Sequence, residues 1–323
     1  MKLISRRQFS LSLGSVALLP SARAQAFPTK PLRLVIPFPG GFTDVLARLV
    51  GQKMGDAMGQ PVLVEQKPGG SGQIGASEVL RAPADGHTLF LIHIGTHALN
   101  AAMFTKLSYD PVQDFLPVTE LARVPNLLVA SPALGVNSVA ELVALAKAKP
   151  DSLFFASPGN GTSGHLAGEL FKSASALKVT HVPYKGAAES VQDLAAGRVH
   201  FSFDTLAQGS ALAKAGKVKA LAVTSAQRHP VFADIPTMIE SGYAGWETGP
   251  WFGLAVRSGT PSALVLRLAT EAVAAINAPE VKDKLMAMGA TPIGSNPEQF
   301  AAHIKAESQR WGVLVRALGI KAE

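Results

Sequence analysis

Short apolar runs that alternate with helical patterns constrain this chain more than any other feature of its sequence. A run at residues 32–38 is followed by residues 43–58, in which Leu46, Val50 and Met54 fall on one helical face. The same alternation recurs along most of the chain. It is typical of α/β units with largely parallel sheets. We therefore expect an α/β fold.

The alternation occurs in two series. The first is a β-α-β-α-β pattern that ends with a strand at 87–93, and the second begins with a strand at Asn126–Ala130. Three helices that start near Pro261, Pro279 and Pro297 close the chain, because proline suits the first helical turn. If these helices pack onto the first series, the chain crosses between two domains twice. The predicted domains are then 27–124 with 249–323, and 125–248, hinged around a cleft.

The first 26 residues have the features of an export signal. Lys2, Arg6 and Arg7 precede a modestly apolar stretch at 9–20, and small residues at 24–26 form a cleavage site. The run from Ser5 to Phe9 also resembles a twin-arginine signal, although Sec export stays open. We therefore expect a cleaved signal peptide and a periplasmic product.

Charge and cysteine content exclude several classes of function. The signal segment carries four of the 30 basic residues and no acid, so the formal charge falls from +7 to about +3 when it is removed. Neither a basic run nor basic residues interleaved with aromatics stands out, so we expect no nucleic-acid partner. The chain has no cysteine, which excludes disulfides, thiolate zinc sites and a cysteine nucleophile.

The junction between the first strand and the first helix suggests an anion site. Gly40 and Gly41 let the backbone approach a ligand closely, and Thr43 or Asp44 is predicted to cap the helix. The free N–H groups of a first helical turn favour a bound anion. The segment 157–165 is similarly rich in glycine, hydroxyl and amide groups at a helix start.

Signatures of enzymes and metal sites are weaker. Residues 70–75 match the G-x-G-x-x-G pattern of dinucleotide sites, but no acid follows about 20 residues later. No G-x-S-x-G elbow is present, and His93 and His97 straddle a strand end with no nearby carboxylate cluster. Asp204 lies where strand ends meet the expected cleft, and it either accepts a proton from a ligand or caps the next segment. We therefore predict no catalytic residue, cofactor or metal.

Ten motifs in order resemble the substrate-binding proteins of tripartite tricarboxylate transporters, the Bug or TctC family. They lie at residues 30–33, 37–48, 59–62, 95–100, 109–111, 157–171, 181–186, 221–224, 234–237 and 251–254. The resemblance covers the mature chain nearly end to end. It implies a two-domain, hinged periplasmic-binding-protein fold of type II-like architecture, with the cleft between the domains.

The resemblance also implies a function and a site. Members of the family bind small carboxylates and pass them to a membrane permease, so we expect a small organic anion, permease subunits as partners, and a monomer. In the family, the loop that corresponds to 37–44 holds a carboxylate through main-chain amides and water, so we expect the same here, although this loop reads one residue shorter than the family pattern. The expected ligand-binding residues are Phe38, Gly40, Gly41, Phe42, Thr43, Asp44, Thr96, His97, Ser157, Asn160, Gly161, Thr162, Ser163, His165 and Asp204.

Two alternatives remain open on the sequence. An exported NAD(P)-dependent oxidoreductase would use the glycine turn at 70–75. A sensory binding protein would dock on a receptor domain instead of a permease. Neither the preferred acid nor its affinity follows from the sequence.

Overall fold

The computed structural model describes residues 27–321, so the predicted signal peptide lies outside the described residues. Eleven strands are described: β1 Leu32–Ile36, β2 Val62–Gln66, β3 Thr88–His93, β4 Phe115–Arg123, β5 Asn126–Ala130, β6 Phe154–Ser157, β7 Thr180–Pro183, β8 Phe201–Thr205, β9 Lys219–Val223, β10 Trp251–Arg257 and β11 Thr291–Pro292. Ten α-helices accompany them within the same residues: α1 Gly41–Met58, α2 Gln73–Arg81, α3 Asn100–Met103, α4 Val139–Ala148, α5 Ser163–Ala174, α6 Ala187–Ala195, α7 Leu206–Lys214, α8 Ser262–Asn277, α9 Pro279–Ala287 and α10 Pro297–Ala317.

The strands form two sheets, one in each of two domains. The first sheet has the order β11-β4-β10-β3-β1-β2, and the second has the order β7-β6-β8-β5-β9. The C-terminal helix α10 packs on β4 of the first sheet. The α/β fold with two domains is therefore confirmed.

The prediction of largely parallel sheets was wrong in part, because both sheets are mixed. Parallel pairs join β2, β1 and β3 in the first sheet and β7, β6 and β8 in the second. The strands β10, β4 and β11, and in the second sheet β5 and β9, pair antiparallel with their neighbours. Two parallel strands that are neighbours in one sheet are joined by a crossover connection, usually a helix. No helix follows β4, because only two residues separate it from β5, which belongs to the second sheet.

The two crossings between the domains lie side by side. Val124 N–H donates to Pro250 O at 3.0 Å, and Asn126 N–H donates to Thr248 O at 3.4 Å. Asn126 N–H also donates to Thr224 Oγ1 at 2.7 Å. The connection between the domains is therefore a pair of hydrogen-bonded segments, and it places Asn126 at the base of the cleft.

The start of one helix differs from the prediction, and one helix was not predicted. The helix α1 begins at Gly41 with Gly40 as its N-cap, so neither Thr43 nor Asp44 caps it. Gly40 has a φ of 88°, which favours glycine, and its N–H donates to Asp44 Oδ2 at 2.6 Å. The helix α7 was not predicted. The helix α10 begins with a capping box formed by Asn296 and Gln299.

The hydrophobic core extends across both domains, because one cluster joins Leu46 of the first domain to Leu206 of the second. Beside it, Phe90, Phe115 and Trp311 are buried together in the first domain, and Phe171 packs edge-on against Phe203 in the second. Within residues 27–321 no helix is both long enough and apolar enough to cross a lipid bilayer.

A matched pair of glycines tests the packing of the second core. We expect Gly168→Ala to destabilise the protein by about 1–3 kcal/mol, because a Cβ at Gly168 would overlap the ring of Phe155. We expect Gly312→Ala to stabilise it by up to about 1 kcal/mol, because alanine is the better helix former and the nearest atom, Arg316 Nη1, lies 3.4 Å away on a flexible side chain. Urea unfolding of both variants measures the difference. Equal effects would contradict the packing of α5 on β6.

Candidate functional site

A cavity between the two domains collects the N-termini of four helices. Its empty volume is about 580 Å³, including its open mouth. It lies at the carboxyl ends of the parallel strands, where ligands bind in open α/β sheets. The residues that line it are Phe38, Pro39, Gly40, Phe42, Thr43, His93, Asn126, Pro158, Thr162, Ser163, Gly164, Ala187, Phe203, Asp204, Thr205, Gln208, Pro250 and Phe252.

The start of α1 forms the wall of the first domain. Gly40 ends the extended segment after β1, and the first turn of α1 brings Phe42 and Thr43 to the cavity. Phe42 is buried and packs against Phe252 with ring centroids 5.3 Å apart. Because the first N–H groups of a helix have no intrahelical partner, this turn presents main-chain donors to the cavity.

The start of α5 forms the facing wall of the second domain. Thr162 is its N-cap and accepts a hydrogen bond from His165 N–H at 3.3 Å, while its hydroxyl donates to Gly159 O at 2.8 Å. These two bonds fix Thr162. The N–H groups of Ser163 and Gly164 precede the first intrahelical bond and lie at the cavity wall.

Two further helices begin at the same cavity. The helix α7 starts after Thr205, whose Oγ1 accepts from Gln208 N–H at 3.3 Å. The helix α6 starts at Ala187, and Gln208 Nε2 donates to Ala187 O at 3.4 Å. Four positive helix ends therefore converge on one space, because each helix macrodipole is positive at its N-terminus.

No lysine or arginine is among the described residues that line the cavity. Its titratable side chains are His93 and Asp204. Burial lowers the pKa of His93 to about 3, so this ring is neutral at physiological pH. An anion in the cavity would therefore be held by main-chain amides, hydroxyls and helix dipoles rather than by a salt bridge.

The neutral tautomer of His93 is set by the turn that follows β3. Gly95 N–H donates to His93 Nδ1 at 2.8 Å, which leaves the ring proton on Nε2. The ring of His93 packs edge-on against Phe38, with centroids 4.7 Å apart. Nε2 has no hydrogen-bond partner among the described residues, so the first domain has a spare donor beside the cavity.

Asp204 lies opposite, near the end of β8. It is 3 % exposed, and burial raises the pKa of its carboxyl to about 7. Its backbone carbonyl accepts from Asn126 Nδ2 at 3.2 Å, and the same amide group lies 3.4 Å from Ser163 Oγ. Asn126 thus ties Asp204 to the start of α5.

Seven of the residues expected at the site line this cavity: Phe38, Gly40, Phe42, Thr43, Thr162, Ser163 and Asp204. They belong to the two helix starts that the sequence pattern singled out, and to the end of β8. The structure brings them together from both domains. Their contact with a ligand stays a prediction.

The remaining residues of the expected set lie outside the cavity lining. Gly41 is the first residue of α1 and faces Gln208, while Asp44 accepts from Gly40 N–H. Asn160 lies in a neighbouring groove beside Gly159. The other residues outside the lining are Thr96, His97, Ser157, Gly161 and His165.

Hydrogen bonds and ring packing explain those positions. Thr96 Oγ1 donates to His93 O at 3.1 Å, and His97 is buried with its ring 5.1 Å from that of Phe115. The hydroxyl of Ser157 donates to Gly159 O at 3.1 Å.

His165 lies in the interior of the second domain, whereas Gly161 is buried where its loop meets Asn100 of the first domain. His165 Nδ1 accepts from Gly161 N–H at 3.3 Å. The ring of His165 stacks on that of His181 with centroids 4.2 Å apart, and burial lowers the pKa of His181 to about 3. These side chains support the loop from behind.

Sequence reasoning did not select His93, Asn126 or Gln208. The first two had a usable signal, since His93 is the last residue of β3 and Asn126 the first of β5. Gln208 depended on α7, which was not predicted. Selecting the polar residues at strand ends that face the cleft would have found His93 and Asn126.

The fold and sequence match a known family of receptors. The profile of the tripartite tricarboxylate transporter family receptor, TctC, matches residues 46–320. The structure of Rpa4515 from R. palustris with adipate is 40 % identical with a TM-score of 0.89, covering 91 % of this chain and 99 % of that one. The periplasmic binding protein BugD is 32 % identical with a TM-score of 0.88, covering 92 % and 100 %.

A further structure holds a different acid. MatC (Rpa3494) from Rhodopseudomonas palustris, solved with bound malate, is 33 % identical with a TM-score of 0.85, and the match covers 90 % of this chain and 100 % of that one. These similarities extend over both domains, and they agree with the profile match. The chain belongs to the TctC family of tripartite tricarboxylate transporter receptors.

Proposed function

We propose that this chain captures a small organic carboxylate in the cleft between its domains and delivers it to the permease of a tripartite tricarboxylate transporter, without a catalytic step. One observation carries the proposal. Four helix N-termini converge on a cavity whose described lining has no cationic side chain. Such a site favours a carboxylate through amide donors and helix dipoles.

The similar proteins support the same class of ligand. Rpa4515 was solved with adipate and MatC with malate, and both are carboxylates. We propose that Thr43, Thr162 and Ser163, with the first-turn amides of α1 and α5, hold the carboxylate from both domains. Closure of the cleft would then remove the ligand from water and form the surface that a permease recognises.

The proposal also covers the compartment, the domain boundaries and the oligomeric state of the protein. BugD is a periplasmic binding protein, and we propose that this chain reaches the periplasm through cleavage of a signal near residues 24–26. The domain boundaries are proposed at 124/125 and 248/249, between strands of different sheets. We propose that it acts as a monomer.

The oxidoreductase alternative is not favoured. Gly72 and Gly75, which gave the dinucleotide pattern, are packing positions. A Cβ on Gly72 would lie 2.6 Å from Thr96 Cγ2, and one on Gly75 would lie 3.2 Å from Phe90 Cε2. These glycines allow α2 to approach the first sheet closely.

A thermal-shift screen of carboxylic acids tests the proposed function. We expect the correct acid at about 100 times its Kd to stabilise the purified protein by about 2.7 kcal/mol, with a 1:1 stoichiometry in calorimetry. The matched control is the primary amide of the same acid, which lacks the charge and should bind at least tenfold more weakly. Stabilisation by neutral sugars, metal ions or NAD(P) but by no acid would refute the proposal.

A further inference from the structure

Two buried oxygen acceptors line the cavity without a partner. Asn126 Oδ1 and Asp204 Oδ2 have no hydrogen-bond partner among the described residues, and their residues are 1 % and 3 % exposed. Both residues line the cavity from the second domain. Buried acceptors are normally paired, so these two require an explanation.

The orientation of the Asn126 amide follows from its hydrogen bonds. Its Nδ2 donates to Asp204 O and lies 3.4 Å from Ser163 Oγ. The nitrogen is therefore occupied, and the oxygen remains as the free group. Asp204 is held in register by the antiparallel pairing of β5 and β8, in which Leu127 faces Asp204.

The free acceptors stand beside the proposed carboxylate clamp. Ser163 belongs to the start of α5 and is also the neighbour of Asn126 Nδ2. A ligand whose carboxylate meets the first turn of α5 therefore brings its adjacent carbons to Asn126 and Asp204. These carbons are the positions at which small acids carry substituents.

We infer that the solute carries a hydroxyl or amino group next to its carboxylate, and that Asn126 Oδ1 and Asp204 accept the hydrogen bond of that group. The inference rests on the proposed function and names the class of acid within it: hydroxy acids or amino acids rather than unsubstituted acids.

The chemistry of the two acceptors supports this choice. An amide oxygen accepts but cannot donate, so Asn126 Oδ1 gains only from a ligand donor. Burial raises the pKa of Asp204 to about 7, although the nearby Ser202 side chain opposes the shift. A ligand donor beside the carboxyl would favour its ionised form, which only accepts. An unsubstituted acid would leave both oxygens buried and unpaired, which lowers its affinity.

Pairs of acids with one carbon skeleton test the inference. Lactate and alanine are compared with propionate, and malate and aspartate with succinate, by calorimetry at pH 7.5. In at least one skeleton we expect a substituted acid to bind about ten- to a hundredfold more tightly than its unsubstituted partner. Equal affinities within both sets would overturn the inference while leaving the proposed function intact. Failure of every acid to bind would instead refute the proposed function.

Two substitutions of Asp204 test whether this residue causes the difference in affinity between substituted and unsubstituted acids. Asp204→Ala should reduce the ratio of affinities within the preferred pair to less than about threefold, and this ratio is unaffected by a general loss of affinity. Asp204→Asn keeps an acceptor of the same shape but no charge. It should retain the ratio for a hydroxy acid and lose it for an amino acid. A full wild-type ratio in Asp204→Ala, in protein with an unchanged circular dichroism spectrum, would overturn the role of Asp204.

Discussion

Replacing Ser163 with proline is expected to weaken carboxylate binding by about ten- to a hundredfold, because proline removes one N–H donor from the start of α5. Ser163 is the first residue of the helix, a position that proline occupies without breaking it. The preceding Thr162 has φ −86° and ψ 161°, the extended conformation that a residue before proline requires. The substitution therefore removes a donor while preserving the helix.

The matched control is Ser163→Ala, which keeps the N–H and removes only the hydroxyl. We expect this variant to lose less than about tenfold in affinity, since a neutral hydrogen bond contributes about 0.5–1.5 kcal/mol. Isothermal titration calorimetry with the acid found in the thermal-shift screen measures both variants. If proline and alanine weaken binding to the same extent, the main-chain amide of Ser163 is not part of the clamp.

Acidification from pH 7 to about 4.5 is expected to unfold much of the protein, because four buried histidines take up protons on unfolding. Burial lowers the pKa of His93, His97 and His181 to about 3 and that of His165 to about 4, from 6.5. Below pH 6.5 the unfolded chain binds these protons and the folded protein does not. The stabilisation is therefore complete above pH 6.5 and declines as the pH falls towards 4.

The carboxyl of Asp204 changes the free energy of unfolding with pH in the opposite direction. Its pKa is raised from 3.8 to about 7, so the folded protein binds this proton more tightly than the unfolded chain does. Its contribution is greatest in acid and is lost as the pH rises towards 7. When the protein unfolds near pH 5, four histidines take up protons and one carboxyl releases a proton, so the net uptake is about three protons. The free energy of unfolding therefore falls by about 4 kcal/mol for each pH unit of acidification. This is a large part of the 5–15 kcal/mol by which a typical domain is stable.

Urea unfolding followed by circular dichroism between pH 7.5 and 5 measures this slope. The variant His97→Phe keeps a ring against Phe115 and should reduce the net uptake by about one proton. A free energy of unfolding that stays constant from pH 7 to pH 5 would show that these histidines are not neutral and buried in the folded protein.

Local patterns predicted the start of α5 and placed that of α1 two residues late, but they missed α7 and the side chains that face the cavity. The glycines at 40–41 and the hydroxyls of Thr162 and Ser163 have the same meaning in any α/β protein, because capping and anion binding depend on a few consecutive residues. Only part of each loop can face the cleft. His165 lies three residues after Thr162, yet its ring stacks on His181 in the interior of the second domain.

Contacts between distant segments account for what the sequence missed. His93, Asn126 and Gln208 come from three separate elements, and they meet only because the chain crosses between the domains at 123–126 and returns near Pro250. The mixed sheets also depend on pairing between distant segments, because β10 pairs antiparallel with both β3 and β4, and no short-range pattern records that pairing.

By itself the sequence determined the α/β class, the division into two domains and the two glycine- and hydroxyl-rich helix starts, because each of these depends on periodicity or on a few neighbouring residues. The tertiary structure alone decided which four helix ends share one cavity, that its described lining has no lysine or arginine, and that Asn126 Oδ1 and Asp204 Oδ2 are buried there without a hydrogen-bond partner. These properties arise from burial and from the distance between segments far apart in the chain. The proposal of an acid with a donor group beside its carboxylate rests on these properties.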